Sequence, residues 1–182
     1  DGTKALVNRM PEFCISAALI ERGAPVVAAI LNPSTDELFT AVRGRGLFLN
    51  NSRVTLSPPH DFDPVIMVGA REFRSDRWSM LAETTRCRPM YSIAHALAMV
   101  AAGRVQATFT IEPEHEWDVA AGVLLIEESG GTVSDGAGKP FAFNQPIPKF
   151  RGVISVAATA DKDLRAKLQT HAEQARSQPE RK

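Results

Sequence analysis

The stretch from residue 116 to residue 131 joins an acidic side chain to a long apolar run. Nearly every residue from 119 to 126 is small or apolar, which is typical of a helix buried on most sides. Gly130 and Gly131 predict its C-terminal end, because glycine takes the left-handed cap conformation at little steric cost. Asp118 then lies in the first turn, where the helix dipole favours a carboxylate. Such an acid serves as a cap, a metal ligand or a polar contact to a substrate, and spacing alone favours the cap.

Three sequence motifs resemble the signatures of one enzyme superfamily. Residues 117–122, Trp-Asp-Val-Ala-Ala-Gly, with Glu-Ser-Gly-Gly at 128–131, are similar to the C-terminal signature of the inositol monophosphatase superfamily. The opening Asp1-Gly2-Thr3 resembles the last half of that superfamily's Asp-Pro-x-Asp-Gly-Thr signature. The sequences of residues 32–39 and 43–50 also resemble those of the superfamily, so the resemblance covers most of the chain. On its own, Asp-Gly-Thr is a routine turn.

The resemblance implies an α/β fold of the sugar-phosphatase type, a layered sandwich of which this chain is the C-terminal two-thirds. We expect an antiparallel meander sheet followed by a mixed sheet flanked by helices. Counting hydrophobic alternation and turn residues, we predict strands at 13–20, 25–31, 37–42, 47–49, 65–69, 105–110 and 153–157, and helices at 76–86, 93–102 and 161–174.

The resemblance also implies a magnesium-dependent phosphomonoester hydrolase. Asp1 and Asp118 would be metal ligands, and carboxylate oxygens suit Mg²⁺. Gly2 and Thr3 would bind the phosphate, and the Thr3 hydroxyl would orient the attacking water. The superfamily draws further ligands from upstream residues that these 182 residues do not contain. The chain as given is therefore expected to bind magnesium weakly, to turn over slowly, and to expose apolar surface on its first sheet.

The substrate implied by the resemblance is inositol monophosphate or 3′-phosphoadenosine 5′-phosphate, and the sequence leaves the two at parity. Glu112 and Glu114 lie near the place of a substrate-contacting glutamate, and Ser92 lies in the turn before the helix at 93–102. Tyr91 replaces the glycine usual in that turn. Glu116, just before Trp117, is more similar to the bacterial bisphosphate nucleotidases.

The arginines between residues 71 and 88 leave two interpretations open. They could hold a nucleotide's second phosphate, because guanidinium matches phosphate geometry, or they could form a solvated helix face. A non-catalytic binding protein, or an inactive fragment, on the same fold is the alternative to a phosphatase.

Length and composition indicate one compact unit or two closely packed lobes. We place the lobe boundary in the proline-rich linker, giving residues 1–57 as the remainder of a metal- and phosphate-binding lobe and 58–182 as an α/β lobe. The 21 basic and 21 acidic residues cancel, which argues against a nucleic-acid polymer as partner. Two cysteines are too few for a disulfide framework and predict a cytoplasmic protein. No apolar run is long enough for a membrane span, and we expect a homodimer acting on a small phosphorylated substrate.

Overall fold

The first half of the chain forms an antiparallel meander, as the sequence predicts. The structure is a computed structural model that describes residues 1–56, 65–74 and 86–177. Five strands follow one another in order as sheet A: β1 (Ile15–Glu21), β2 (Ala24–Asn32), β3 (Glu37–Val42), β4 (Leu47–Leu49) and β5 (Ser52–Arg53). Each pairs antiparallel with the next. Left-handed residues at the turns, such as Gly23 and Asn50, make the reversals tight.

The second half forms a mixed sheet. Sheet B contains β6 (Val65–Gly69), β7 (Arg86–Met90), β8 (Ala107–His115), β9 (Thr132–Asp135) and β10 (Lys149–Val156), in the spatial order β7-β6-β8-β10-β9. Strand β6 runs parallel to β7 and β8, whereas β10 is antiparallel to both of its neighbours. The expected α/β architecture is confirmed.

Two helices fill the space between the sheets. The helices of the described residues are α1 (Thr3–Val7), α2 (Ala70–Phe73), α3 (Ile93–Ala101), α4 (Glu116–Glu128) and α5 (Leu164–Ser177). Helices α3 and α4 pack together, and their apolar side chains share one core with residues of both sheets, such as Phe39 and Met67. Helix α5 covers the other face of sheet B through Leu164, Leu168 and Ala172. The layers therefore run sheet A, α3 with α4, sheet B, α5.

Helix α4 has the predicted burial and the predicted end. All eight residues from Val119 to Ile126 are buried. The helix ends at Glu128, and Gly130 follows with a positive φ of 80°. Gly122 faces α3 so closely that an added Cβ would lie 2.5 Å from the Cβ of Leu97. Glycine at this position therefore sets the distance between the two central helices.

Some predicted boundaries were wrong. Arg86 begins β7 instead of ending a helix, and the rest of the helix predicted at 76–86 lies outside the described residues, as does the linker at 57–64. Strand β8 continues to His115, five residues beyond the prediction, because Glu114 and His115 pair with β10. The sequence Glu-Pro-Glu-His is too polar to indicate a strand by itself. Strand β10 likewise begins at Lys149 and not at 153.

One face of sheet A is apolar and exposed. Leu19, Val27 and Val42 are directly opposite one another on adjacent strands, and all three are exposed together with Ile15. The expectation of apolar surface on the first sheet is thus confirmed. The division into lobes at residue 57 stays a prediction. Among the described helices, none has the length and apolar character that crossing a bilayer requires.

Candidate functional site

Residue 1 lies beside the start of strand β1. The amino group of Asp1 donates to the Cys14 carbonyl at 2.7 Å, and the Cys14 N–H donates back to the Asp1 carbonyl at 3.0 Å. Gly2 follows with φ of 89°, and a Cβ there would lie 2.7 Å from the Glu12 carbonyl oxygen. Only glycine fits this turn. Thr3 then begins α1 with its side chain exposed.

The Asp1 carboxylate lies at the N-terminus of helix α3. Its Oδ2 accepts hydrogen bonds from the Ser92 hydroxyl at 2.7 Å and from the Ala94 N–H at 3.0 Å. The Ser92 hydroxyl also accepts from the His95 N–H at 3.0 Å, so Ser92 is the N-cap of α3. The structure therefore brings together two predicted site residues that are 91 positions apart.

Asp118 lies in the first turn of α4, near residue 1. Burial raises the pKa of its carboxyl, and the positive charges of the Asp1 amino group and of His115 oppose the rise. The His115 Nδ1 is 3.9 Å from Asp118 Oδ2, and its ring stacks on Trp117. The Ser16 hydroxyl donates to the Trp117 carbonyl at 3.3 Å, and Cys14, two residues before Ser16, pairs with Asp1. These contacts place the two motifs at the same end of the molecule.

The oxygen donors at this end suit magnesium in kind but are few in number. Across residues 1–56, 65–74 and 86–177, no group of three His, Cys, Asp or Glu side chains is arranged to hold a metal ion. The Asp118 carboxylate accepts no hydrogen bond within the same ranges, and only Oδ2 of Asp1 is used by Ser92 and Ala94. Both predicted ligands thus keep carboxylate oxygens that a hard cation would bind.

A cavity of ≈ 300 Å³ opens beside Asp1. It lies between the β6–α2 turn, the turn before α3, and one face of β8. Five described residues that line it are charged: Asp1, Arg71, Glu72, Glu112 and Glu114. Tyr91 also lines it, at the position where glycine was expected, whereas Ser92 does not. The predicted substrate residues Glu112 and Glu114 therefore share the cavity with Asp1, while Ser92 donates to the Asp1 carboxylate from outside the cavity lining.

A bulge in β8, opposite Gly152 of β10, shapes this wall of the cavity. The pairing register slips between Arg151 and Val153, where Gly152 has φ of 84° and an added Cβ would collide with the Thr110 carbonyl. The slip leaves Ile111 and Glu112 outside the ladder. The Glu72 carboxylate accepts from the Ile111 N–H instead, and Thr110 Oγ1 accepts from the Glu112 N–H at 3.1 Å.

Two carboxyl groups of the cavity, those of Glu72 and Glu114, have raised pKa values. Burial raises the pKa of Glu72 to about 7, and hydrogen bonds from the Ile111 N–H and the Thr110 hydroxyl limit the rise. Burial, followed by the charges of Asp118, Glu72 and Glu112, raises the pKa of Glu114 to about 7. These shifts show that the cavity wall disfavours the ionised form of both carboxyl groups, chiefly because the side chains are buried.

Neither the buried position of Glu72 nor the bulge was predicted from the sequence. Glu72 is only 4% exposed, although it stands in an arginine-rich segment that reads as a solvated helix face. No local pattern distinguishes it from a surface glutamate. Glycine at 152 inside an apolar strand was the available signal for the bulge.

Glu116 and Arg88 make hydrogen bonds to residues that do not line the cavity. Glu116 is 8% exposed and accepts from the N–H groups of Asn144 at 2.8 Å and Gln145 at 3.1 Å. Arg88 donates to Glu12 Oε1 at 2.7 Å. The similarity to nucleotidases at Glu116 thus falls on a side chain that anchors a loop. Of the arginine cluster, Arg71 lines the cavity, and Arg77 lies outside the described residues.

Comparisons with known proteins agree with the motifs. The sequence model of the inositol monophosphatase family matches residues 1–177. The inositol-1-monophosphatase of Rhizobium meliloti is 39% identical over 151 residues, which are 77% of this chain and 56% of the relative. The Nus factor SuhB of Escherichia coli is 38% identical over 147 residues, 76% of this chain and 55% of the relative. The chain thus spans little more than half the length of these curated relatives.

Solved structures show the same fold. An IMPase from Thermotoga maritima superposes with a TM-score of 0.81 at 27% identity, over 96% of this chain and 66% of that one. The extragenic suppressor protein suhB from Bartonella henselae superposes with a TM-score of 0.76 at 32% identity, over 95% and 69%. With the family match over residues 1–177, these findings establish that the chain belongs to the inositol monophosphatase family.

Proposed function

We propose that the whole protein hydrolyses phosphomonoesters with the help of Mg²⁺. The observation that carries the proposal is the juxtaposition of the two motifs: Asp1 and the first turn of α4 lie at one end of the fold, and Asp1 lines a cavity with the volume of a small ligand. Family membership supports a phosphatase-like chemistry but leaves the metal and the substrate as proposals. Phosphoryl transfer asks a protein chiefly for positioning and charge neutralisation.

The proposed roles follow the positions of the side chains. Asp1 and Asp118 would hold Mg²⁺, which neutralises developing charge on the phosphoryl oxygens when bound. Gly2 and Thr3 contact the phosphate, and the exposed Thr3 hydroxyl orients the attacking water. Ser92 has a positioning role, because its hydroxyl fixes the Asp1 carboxylate against α3. The direct substrate contact that the resemblance implies for Ser92 stays a prediction.

The leaving group of the substrate would occupy the cavity. Glu112 and Glu114 line it and would accept hydrogen bonds from hydroxyl groups. Inositol monophosphate and 3′-phosphoadenosine 5′-phosphate are the two substrates proposed. Homodimer formation, a cytoplasmic location and the lobe boundary at residue 57 stay proposals as well, and sedimentation of the purified protein tests the first.

A non-catalytic binding role on the same fold is the second candidate. Two observations favour it: several relatives bear the name Nus factor, and the described ranges contain no three-ligand metal cluster. In this alternative, the acidic cavity would bind a ligand without hydrolysing a phosphate ester.

Phosphate release by the full-length protein separates the two candidates. We expect hydrolysis with Mg²⁺ and its loss with a chelator or with Asp118→Asn. Activity that survives both changes would overturn the metal mechanism. Complete inactivity of the folded full-length protein on phosphomonoesters would favour the binding role. Isothermal titration of Mg²⁺ into the 182-residue chain tests the expected weak binding, and tight binding would show that the ligands are misassigned.

A further inference from the structure

One buried acid connects two walls of the cavity beside Asp1. Glu72 belongs to the short helix α2, which forms part of one wall, and it is only 4% exposed. Its carboxylate accepts from the N–H of Ile111 in β8, 39 positions further along the chain. It also accepts from the Thr110 hydroxyl. These two hydrogen bonds, here called the Glu72 bridge, join helix α2 to strand β8.

The groups that Glu72 binds belong to the bulge in β8. Opposite Gly152, the pairing of β8 with β10 skips Ile111 and Glu112, so their N–H groups turn to side chains for acceptors. The Ile111 N–H donates to Glu72 directly. The Glu112 N–H donates to Thr110 Oγ1 at 3.1 Å, and the same hydroxyl donates to Glu72. One carboxylate therefore supports both N–H groups of the bulge.

Gly69, the last residue of β6, leaves the space that the Glu72 carboxylate occupies. A Cβ added at residue 69 would collide with Glu72 Oε2. The φ of Gly69 is −45°, outside the left-handed region that favours glycine. Steric room, and not backbone freedom, is therefore what a side chain at this position would remove. The missing side chain at residue 69 is an observation independent of the hydrogen bonds, and it points to the same contact.

We propose that Glu72 is a positioning residue, whose bridge fixes the β6–α2 turn against the β8 bulge and so sets the spacing of the cavity walls. Its kinetic consequence rests on the proposed phosphatase function. The bridge holds two cavity-lining side chains in place, those of Arg71 and Glu112. Their own ion pair is long, at 3.5 Å, and Arg71 is 78% exposed, so that pair contributes little. A buried carboxylate bound to a backbone N–H is the stronger connection.

The contacts of Glu72 favour a positioning role over direct substrate binding. The side chain is almost fully buried, and its carboxylate is bonded to Ile111 and Thr110 of the protein itself. The bridge also does not depend on charge, because a carboxyl group keeps an acceptor oxygen when it is protonated. A glutamine side chain, which has one acceptor oxygen in the same place, should therefore replace Glu72.

Kinetics and hydrogen exchange of the full-length protein test the inference. With inositol 1-phosphate as substrate, Glu72→Ala should raise KM about tenfold or more and lower kcat less, because displaced walls weaken binding of the leaving group. A peptide that covers the bulge should exchange its amide hydrogens about tenfold or more faster, since Ile111 loses its acceptor. Glu72→Gln should keep KM and exchange within about twofold of the parent, because the acceptor is retained.

Two further variants make the test specific. Gly69→Ala displaces the Glu72 carboxylate without changing its charge, so it should reproduce both effects of Glu72→Ala. It also carries the test if Glu72→Ala does not fold. Glu127→Ala removes an exposed glutamate that pairs with Arg43, and it should leave KM, kcat and exchange unchanged. Unchanged KM and exchange in Glu72→Ala or Gly69→Ala would overturn the inference. Loss of kcat in Glu72→Gln with normal exchange would also overturn it, in favour of a direct chemical role.

A readout without turnover keeps this test distinct from the proposed function. If the full-length protein hydrolyses no phosphomonoester, the phosphatase proposal fails, and the bridge is judged by exchange and by binding. The thermal shift produced by inositol 1-phosphate should then decrease in Glu72→Ala and Gly69→Ala and persist in Glu72→Gln. Faster exchange of the bulge in the first two variants would support the bridge, and parental exchange in both would refute it.

Discussion

The acidic side chains near the two ends of helix α4 differ in whether they accept hydrogen bonds from the backbone. At the C-terminal end, the Glu128 carboxylate accepts from the N–H groups of Gly44 and Gly46, both at 2.7 Å. Glu116 at the N-terminal end likewise accepts from two backbone N–H groups. Asp118, two residues further on, has His115 at 3.9 Å as its charged contact and accepts no hydrogen bond from the described residues.

This difference separates structural acids from an available one. A carboxylate with two backbone donors stabilises the loop that supplies them, and Glu128 in this way ties the β3–β4 turn to the helix. A half-buried carboxylate without donors costs folding energy, as the raised pKa of Asp118 indicates. Such a cost is common at functional sites. Of the four acids in this helix, Glu116 and Glu128 thus bind backbone N–H groups and Glu127 pairs with Arg43. Asp118 accepts no hydrogen bond from the described residues.

The largest effect should come from removing the charge of Asp118. In the full-length protein, Asp118→Asn should lower phosphatase activity by about 100-fold or more, because ion-mediated charge stabilisation is worth several kcal/mol. The metal-free variant should be at least as stable as the parent, since the ionised carboxylate is disfavoured there. Activity and urea denaturation are measured on the same samples. A stable variant with full activity would remove Asp118 from the proposed site.

Glu128→Ala, in contrast to Asp118→Asn, should lower the stability of the fold. It leaves the buried Gly46 N–H without its acceptor, so we expect a loss of about 2–3 kcal/mol in the free energy of unfolding. Urea denaturation measures the loss. A stability equal to that of the parent would mean that the turn finds water or another acceptor, and that Glu128 is not the anchor the contacts indicate.

Gly122→Ala tests the middle of α4, between the two ends. Alanine favours a helix over glycine by about 1 kcal/mol, but the new Cβ would lie 2.5 Å from the Leu97 Cβ. Overpacking costs about 1–3 kcal/mol, so we expect net destabilisation of up to about 2 kcal/mol. Thermal unfolding checks the sign. A stabilised variant would show that α3 and α4 separate easily.

The pH dependence of stability should report the two buried acids of the cavity, Glu72 and Glu114. Burial raises the pKa of Glu72 and Glu114 from 4.5 to about 7. The folded state therefore binds more protons than the unfolded state between these values, and stability falls as pH rises through that window. We expect the melting temperature of the chelator-treated protein to decrease from pH 5 to pH 8. Glu114→Gln should flatten the decrease, and an identical slope in the variant would contradict the assignment.

The smallest effect should come from Glu127, which neighbours Glu128. Its ion pair with Arg43 is solvent-exposed, with both side chains more than two-fifths accessible. Exposed pairs contribute about 0–1 kcal/mol, so Glu127→Gln should change the free energy of unfolding by about 0.5 kcal/mol or less. A loss as large as that of Glu128→Ala would mean that the contribution of each glutamate to stability depends on its position along the helix and not on its backbone donors.

Local patterns were sufficient to predict much of the fold. The apolar run at 119–126 with its terminal glycines predicted α4, and alternation with turn residues predicted the strands of sheet A. These features depend on neighbours a few residues away, which a sequence displays directly. The family resemblance placed Asp1 and Asp118 in one proposed site, and their roles stay predictions.

The sequence by itself thus determined the family, the meander, and a buried helix with an acid in its first turn. Only the tertiary structure decided which acids are available. Glu116, Glu128 and Glu72 look like surface residues in the sequence, yet each is bonded to backbone N–H groups of distant segments. Glu114 and Asp118 have no such bond to any residue that the structure describes. The reason is physical: a carboxylate's role depends on burial and on the donors around it, and here those donors come from turns, a bulge and helix ends far along the chain.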